Sequence, residues 1–340
     1  MRTSIFPVVL ALSVTPLLSV GQQHVWRVNL DGYDADFTGL TALQDAIDNV
    51  DVSNNDTIHV EASAGTYDGV TLERPLVLIG PGYFLNENTT PILQANVNSA
   101  KVHSIIFAPG SEGAIITGLA IEGGFGTGID LQASDITIKR CKVSAVSFGT
   151  SVALNNFVIN QCYVAGAVGF GFGVGPVNNL SFTNNYFGAA FSLAATHQGM
   201  IAHNVFAGNV SIHGATFFNN IVRAGTTTQN NNGVVNMYKN IFHDNPGAWL
   251  DGGTNYRTVN MTTVFATSGS TDGRLDPLPG CANCANGFGT PPQEIGMFGG
   301  STAYRLSGIP AIPSIYQLQA PPSAILGETI DVILSTKSNN

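Results

Sequence analysis

Through the middle of the chain one six-residue pattern returns: an apolar residue, a variable one, a polar one, Asn or Cys, a variable residue, then an apolar one. It occupies 138–143, 159–164, 182–187, 201–206, 217–222 and 237–242. Its fourth positions, Cys141, Cys162, Asn185, Asn204, Asn220 and Asn240, step by 21, 23, 19, 16 and 20 residues. A period near 20 predicts a solenoid, in which each repeat buries its apolar residues only by stacking on its neighbours. Two columns are apolar throughout and are expected inside: Ile138, Ile159, Phe182, Ile201, Phe217 and Met237, and Val143, Val164, Phe187, Phe206, Val222 and Phe242. The Asn and Cys column falls at the turn between them. Asn there is expected to adopt the left-handed conformation of a sharp turn, with amides hydrogen-bonded along the ladder.

Between the interior columns, two columns are expected to face outward. One reads Arg140, Gln161, Asn184, His203, Asn219, Lys239. The other reads Lys142, Tyr163, Tyr186, and then turns aliphatic at Val205, Ile221 and Ile241. Upstream, residues 22–83 predict a cap for the open end of the stack. Thr41-Ala42-Leu43-Gln44 has the form of a capping box, with Ala42, Leu43, Ala46, Ile47 and Val50 on one helical face. Strand-like runs follow at 56–60, 70–72 and 76–79, the last closed by Gly80-Pro81-Gly82. Downstream, 226–233 predicts a Thr/Asn-rich loop. The segment 301–340 shifts to Pro-containing sequence with one final alternating strand near 329–335, and is expected to pack along the solenoid or to serve as an attachment segment.

These features resemble the right-handed parallel β-helix proteins of the pectin lyase-like superfamily, of the secreted bacterial type. The run from Leu43 to Gly82 is similar to their N-terminal region and the repeats from Val102 to Phe242 to their coils. Gln293–Gly300, after Asp272-Gly273-Arg274-Leu275, looks like a closing strand. The resemblance implies an all-β, right-handed parallel β-helix over 22–300 with a short N-terminal capping helix. It leaves function open, because the superfamily includes lyases, hydrolases, esterases, tailspikes and non-catalytic surface proteins.

Composition narrows the function. Only 10% of the residues are charged, there are 39 glycines, and the formal charge is −9. That balance argues against a nucleic-acid partner, since phosphate binding needs concentrated Lys and Arg. Residues 1–21 read as a signal peptide, with Arg2 before an apolar stretch and Ser19-Val20-Gly21 as small residues for cleavage. No later segment is long and apolar enough to span a membrane. The chain is therefore expected to be secreted or at the cell surface, as a monomer. Four cysteines suit an oxidising compartment: Cys281 and Cys284 can close a small disulfide loop, while Cys141 and Cys162 are expected as buried thiols.

Catalysis finds little support in the residues. The resemblance implies that a lyase would stack acidic residues on neighbouring coils to hold calcium, with an Arg or Lys as base. Here Asp130 is expected opposite Ser151 and Asp135 opposite Asn156. A related hydrolase would need paired aspartates, and no Asp-Asp occurs. Asp31, Asp34 and Asp36 form one acidic cluster with the ligand type for calcium; otherwise no cofactor is expected. The candidate ligand stripe is Arg140, Lys142, Gln161, Tyr163, Asn184, Tyr186 and His203, because flat rings beside amides suit the C–H faces and hydroxyls of sugars. The expected function is thus a non-catalytic glycan-interacting or structural protein with a polysaccharide partner. The alternatives are a polysaccharide lyase or glycoside hydrolase, and a protein-binding adhesin.

Overall fold

A computed structural model describes residues 23–88, 92–123, 128–149, 152–170, 175–194, 196–229, 236–246, 254–323, 325–327 and 329–339. The expected leader at 1–21 lies outside the described residues. One coil shows the path of the chain. Thr137–Lys139 belongs to a first sheet, A; Lys142–Val143 to a second, B; and Val146–Phe148 to a third, C. The chain then returns to sheet A at Leu154–Asn160. Each strand pairs in parallel with its equivalent on the next coil: Ile138 with Ile159, Val143 with Val164 and Val146 with Val168. The repeat thus builds a right-handed parallel β-helix, with 11, nine and eight strands in the three sheets among the described residues.

Short strands joined by sharp corners can form only if every coil finds its partners above and below. Both expected interior columns are buried, and sheet C adds Phe107, Phe148 and Phe191. Phe187 and Phe206 stack at 5.1 Å, and Phe182 meets Phe191 edge-on at 5.6 Å. Such pairs add about 0.5–1.5 kcal/mol each beyond the area they bury. At the N-terminal end a helix, α1 (Ala42–Asp48), lays Ala42, Leu43, Ala46 and Ile47 onto the first coil. The capping box does not form: the Thr41 hydroxyl donates to the Asp45 carboxylate, and Gln44 bonds to Thr71 instead. Val50 is 93% exposed, because the helix ends at Asp48 and the face it would have joined stops there.

A second core lies outside the solenoid. Val205, Ile221 and Ile241 point away from the interior yet are fully buried, packed with Val264, Phe265, Leu275, Ile295, Met297 and Tyr304. After the last coil the chain folds back over the outer face of sheet B. The expected closing strand at 293–300 is not a strand. It crosses the coils instead of running along one, so side chains of the coils hold its backbone in place of a strand ladder. Of the expected loop at 226–233, Thr227–Gln229 is a strand of sheet C, and 230–233 lie outside the described residues.

The tail divides. Tyr304, Ser307 and Ile309 are buried against the solenoid. Beyond them Ser314–Gln319 and Ile333–Lys337 form a two-stranded antiparallel ribbon, on which Leu318, Ile333 and Leu334 are all more than half exposed. The ribbon is tied at its base, where Ala95 donates to Ile315 O and Lys337 to Ile92 O. The final strand expected near 329–335 thus forms slightly later, as Ile333–Lys337.

Candidate functional site

The corner between sheets A and B is two residues long, and its first residue is left-handed on every coil of the repeat. Arg140, Gln161, Asn184, His203, Asn219 and Lys239 have φ between 51° and 58°. The left-handed conformation therefore belongs to this outward column and not to the Asn column expected to carry it. For non-glycine residues it costs about 1–2 kcal/mol. The next residue supplies the compensation. Asn204 accepts from the backbone N–H and the Nδ2 of Asn185 (2.9 and 3.0 Å), and its own Nδ2 donates to Phe182 O at 2.8 Å and Asn220 Oδ1 at 3.0 Å. Asn220 and Asn240 repeat the arrangement. On the earlier coils the thiols take the same place: Cys141 N–H points to Cys162 Sγ at 3.4 Å, and Cys162 N–H donates to Asn185 Oδ1 at 2.8 Å. Both thiols are free and buried, as expected.

The outward row is not open. The returning segment lies across it from later coils to earlier ones. Asn219 exchanges hydrogen bonds with Phe288 (2.6 and 3.1 Å). His203 Nε2 lies 3.0 Å from Gln293 Oε1. Asn184 donates to Met297 O and Gly299 O, Gln161 to Thr302 O and Ala303 O, and Arg140 to Ile309 O. Arg140, Gln161, Asn184 and His203 are consequently buried, which corrects the expectation of an exposed stripe. The His203 ring sits against Gly300, where a Cβ would come within 3.0 Å of it. Burial pushes its pKa below the ordinary value, while Gln293 and neighbouring backbone groups oppose that shift.

Lys142, Tyr163 and Tyr186 form a different site. Tyr163 and Tyr186 stack at 4.6 Å on consecutive coils, and Phe84 meets Tyr163 edge-on at 5.0 Å. Burial, and then the neighbouring Tyr186, raise the Tyr163 phenol above its usual range, against the charge of Arg274. Lys142 forms an ion pair with Glu122 at 2.5 Å and stands 5.2 Å from the Phe84 ring centre. Phe84, Lys142 and Glu122 border a cleft of about 240 Å³ with Asn86, Asn98, Ser99 and Lys101 on its rim, whereas Tyr163 and Tyr186 are outside its wall, packed against the second core. Phe84 is left-handed, with φ 50°, a strained state for a bulky residue that persists only where the surroundings impose it.

The surroundings do so through a buried network. Tyr83 N–H donates to Ser307 O, and the Tyr83 hydroxyl bonds to that of Tyr304 at 2.7 Å. Tyr304 in turn donates to Asp272, which also accepts from Asn88 and from the Ser307 N–H. Gly308 packs so closely that a Cβ there would lie 2.2 Å from the Tyr83 ring. The returning segment thus fixes the aromatic wall of the cleft.

The remaining candidates stay apart. Asp31, Asp34 and Asp36 are exposed. Asp36 accepts from Arg27 N–H, Asp31 from the Ser63 hydroxyl, and Asp34 offers only its carbonyl to Arg27. Among the described residues no three Asp, Glu, His or Cys side chains gather as metal ligands. Asp130 pairs with Ser147 rather than Ser151, because the strands of sheet C set the register. Asp135 accepts from Asn156 as expected. Cys281 and Cys284 form a disulfide.

Phe84, Lys101 and Glu122 escaped the sequence reading. Lys101 was within reach of it, since Lys101-Val102 and Ala120-Ile121 extend the sheet B columns to earlier coils. Neither a protein-family model nor a curated protein matches the chain.

Proposed function

We propose that the protein is an exported, non-catalytic β-helix of the pectin lyase-like type that binds a polysaccharide in the Phe84 cleft. The observation that carries this reading is one fixed aromatic face set among groups of both hydrogen-bonding senses. Sugars need an apolar surface for their C–H faces and donors and acceptors for their hydroxyls. Phe84 supplies the first. Lys101, Lys142, Glu122, Asn86 and Asn98 supply the second. The cleft is smaller than the pockets that enclose drug-sized ligands, which suits one unit of a chain whose remainder lies on the surface.

The three-sheet coil, the left-handed corner and the Asn ladder support the superfamily assignment. The apolar start of the sequence and the Cys281–Cys284 disulfide support export. No helix among the described residues is long and apolar enough to cross a membrane.

An immobilised panel of neutral and acidic polysaccharides tests the reading. The wild-type protein should bind at least one member without releasing reducing ends, and Phe84→Ala should weaken that binding about tenfold, the loss expected from removing about 1.4 kcal/mol of contact. Binding to no member, or equal binding by Phe84→Ala, contradicts the proposal.

A further inference from the structure

A second cleft of about 310 Å³ borders sheet B near its later coils, and its distinguishing feature is charge. It is lined by Arg223, Met261, Thr262, Phe265, Thr267 and Arg274, with no carboxylate in its wall. Arg223 leaves the sheet two residues after Ile221. The equivalent positions on earlier coils are Ala165, Gly188 and Ala207, so small neighbours leave its side chain room. Its guanidinium lies over the Phe265 ring at 5.3 Å, a contact that orients the plane while leaving the N–H edges available.

Among the described residues neither Arg223 nor Arg274 has a side-chain hydrogen bond or a carboxylate partner. Three other arginines are engaged: Arg27 with Glu61, Arg74 with the carbonyls of Val52 and Asn49, Arg140 with Gln161 and Ile309. The acids flanking Arg274 in sequence serve elsewhere. Asp272 is buried in the Tyr304 network, and Asp276 borders a different cleft beside Arg305. The recess thus holds two guanidiniums that no carboxylate neutralises, in a chain of formal charge −9.

We propose that the Arg223–Arg274 cleft is a subsite for an anionic group, a sulfate ester or a carboxylate, on the polysaccharide held at Phe84. Guanidinium forks match the paired oxygens of both groups. The placement fits one extended ligand. Lys142, Tyr163, Tyr186, Val205 and Ile221 are successive partners in sheet B, so the coils of the two clefts lie about 19 Å apart at roughly 4.8 Å per step. The subsite rests on the glycan reading and adds that the glycan is acidic.

Three polymers with one backbone separate the cases: dextran, dextran sulfate and carboxymethyl dextran, titrated against the full chain at fixed salt. The wild-type protein should bind at least one charged dextran at least tenfold more tightly than dextran, and which one it prefers separates sulfate from carboxylate. Arg223→Gln with Arg274→Gln should remove that preference, while the charge-matched pair Lys139→Gln with Lys239→Gln should keep it. Melting temperatures of all variants verify folding. Equal binding of neutral and charged dextrans, no binding of either charged one, or equal losses in the two double variants overturns the anion subsite. The glycan reading itself falls if the whole polysaccharide panel fails or if Phe84→Ala binds it as well as the wild type.

Discussion

Asn204 shows how a single residue type holds a corner that the backbone disfavours. Its amide is fully buried and bonds to the coils on both sides. Asn204→Ala removes those partners together and strands buried N–H and C=O groups, each at a cost of about 1–3 kcal/mol. Chemical denaturation should therefore show a loss of at least about 3 kcal/mol; a loss under 1 would mean that water replaces the ladder. His203 makes a pH-dependent contribution. Burial lowers its pKa in the folded state below the ordinary 6.5, so between 6.5 and that lower value the unfolded chain binds the proton and the folded chain does not. Stability is then complete above pH 6.5 and declines as pH falls through this window. Buried His197 and His213 shift in the same direction. His203→Asn keeps a residue tolerant of the left-handed corner, and should reduce the slope of the denaturation midpoint as pH falls below 6.5. An unchanged slope would assign the effect to the other histidines.

At the scale of elements, the coils were legible because their apolar columns repeat, and the returning segment was not, because it follows no period. One sign of it was present. Val205, Ile221 and Ile241 form an aliphatic outward column, and such a column requires a cover. The polar row beside it gave the opposite impression, since Arg140, Gln161, Asn184 and His203 look like surface residues until they meet 293–309, the first three at backbone carbonyls and His203 at the Gln293 side chain. The Phe84 wall was the least legible part. Its position depends on Tyr83 bonding to Tyr304, 221 residues away. The ribbon at 314–337 behaves differently from the segment before it, since a two-stranded hairpin without a packing partner is marginal in water. Limited proteolysis should cut first between 320 and 332 and leave a product that retains Ile309. First cuts within 287–309 would show that the returning segment is not held as described.

The whole molecule is a stack of coils clasped along one corner by its own C-terminal segment, and the clasp determines what can be touched. It buries the polar row and covers the aliphatic part of sheet B. It also fixes Phe84 beside Lys142 and leaves the cleft there open. Binding at that cleft rather than at the row is the central claim, and hydrogen–deuterium exchange with and without a bound polysaccharide from the panel tests it most directly. The account predicts new protection at 83–86, 97–101 and 120–122, with 293–304 unchanged. Protection confined to 293–304 and the row beneath it would contradict the account.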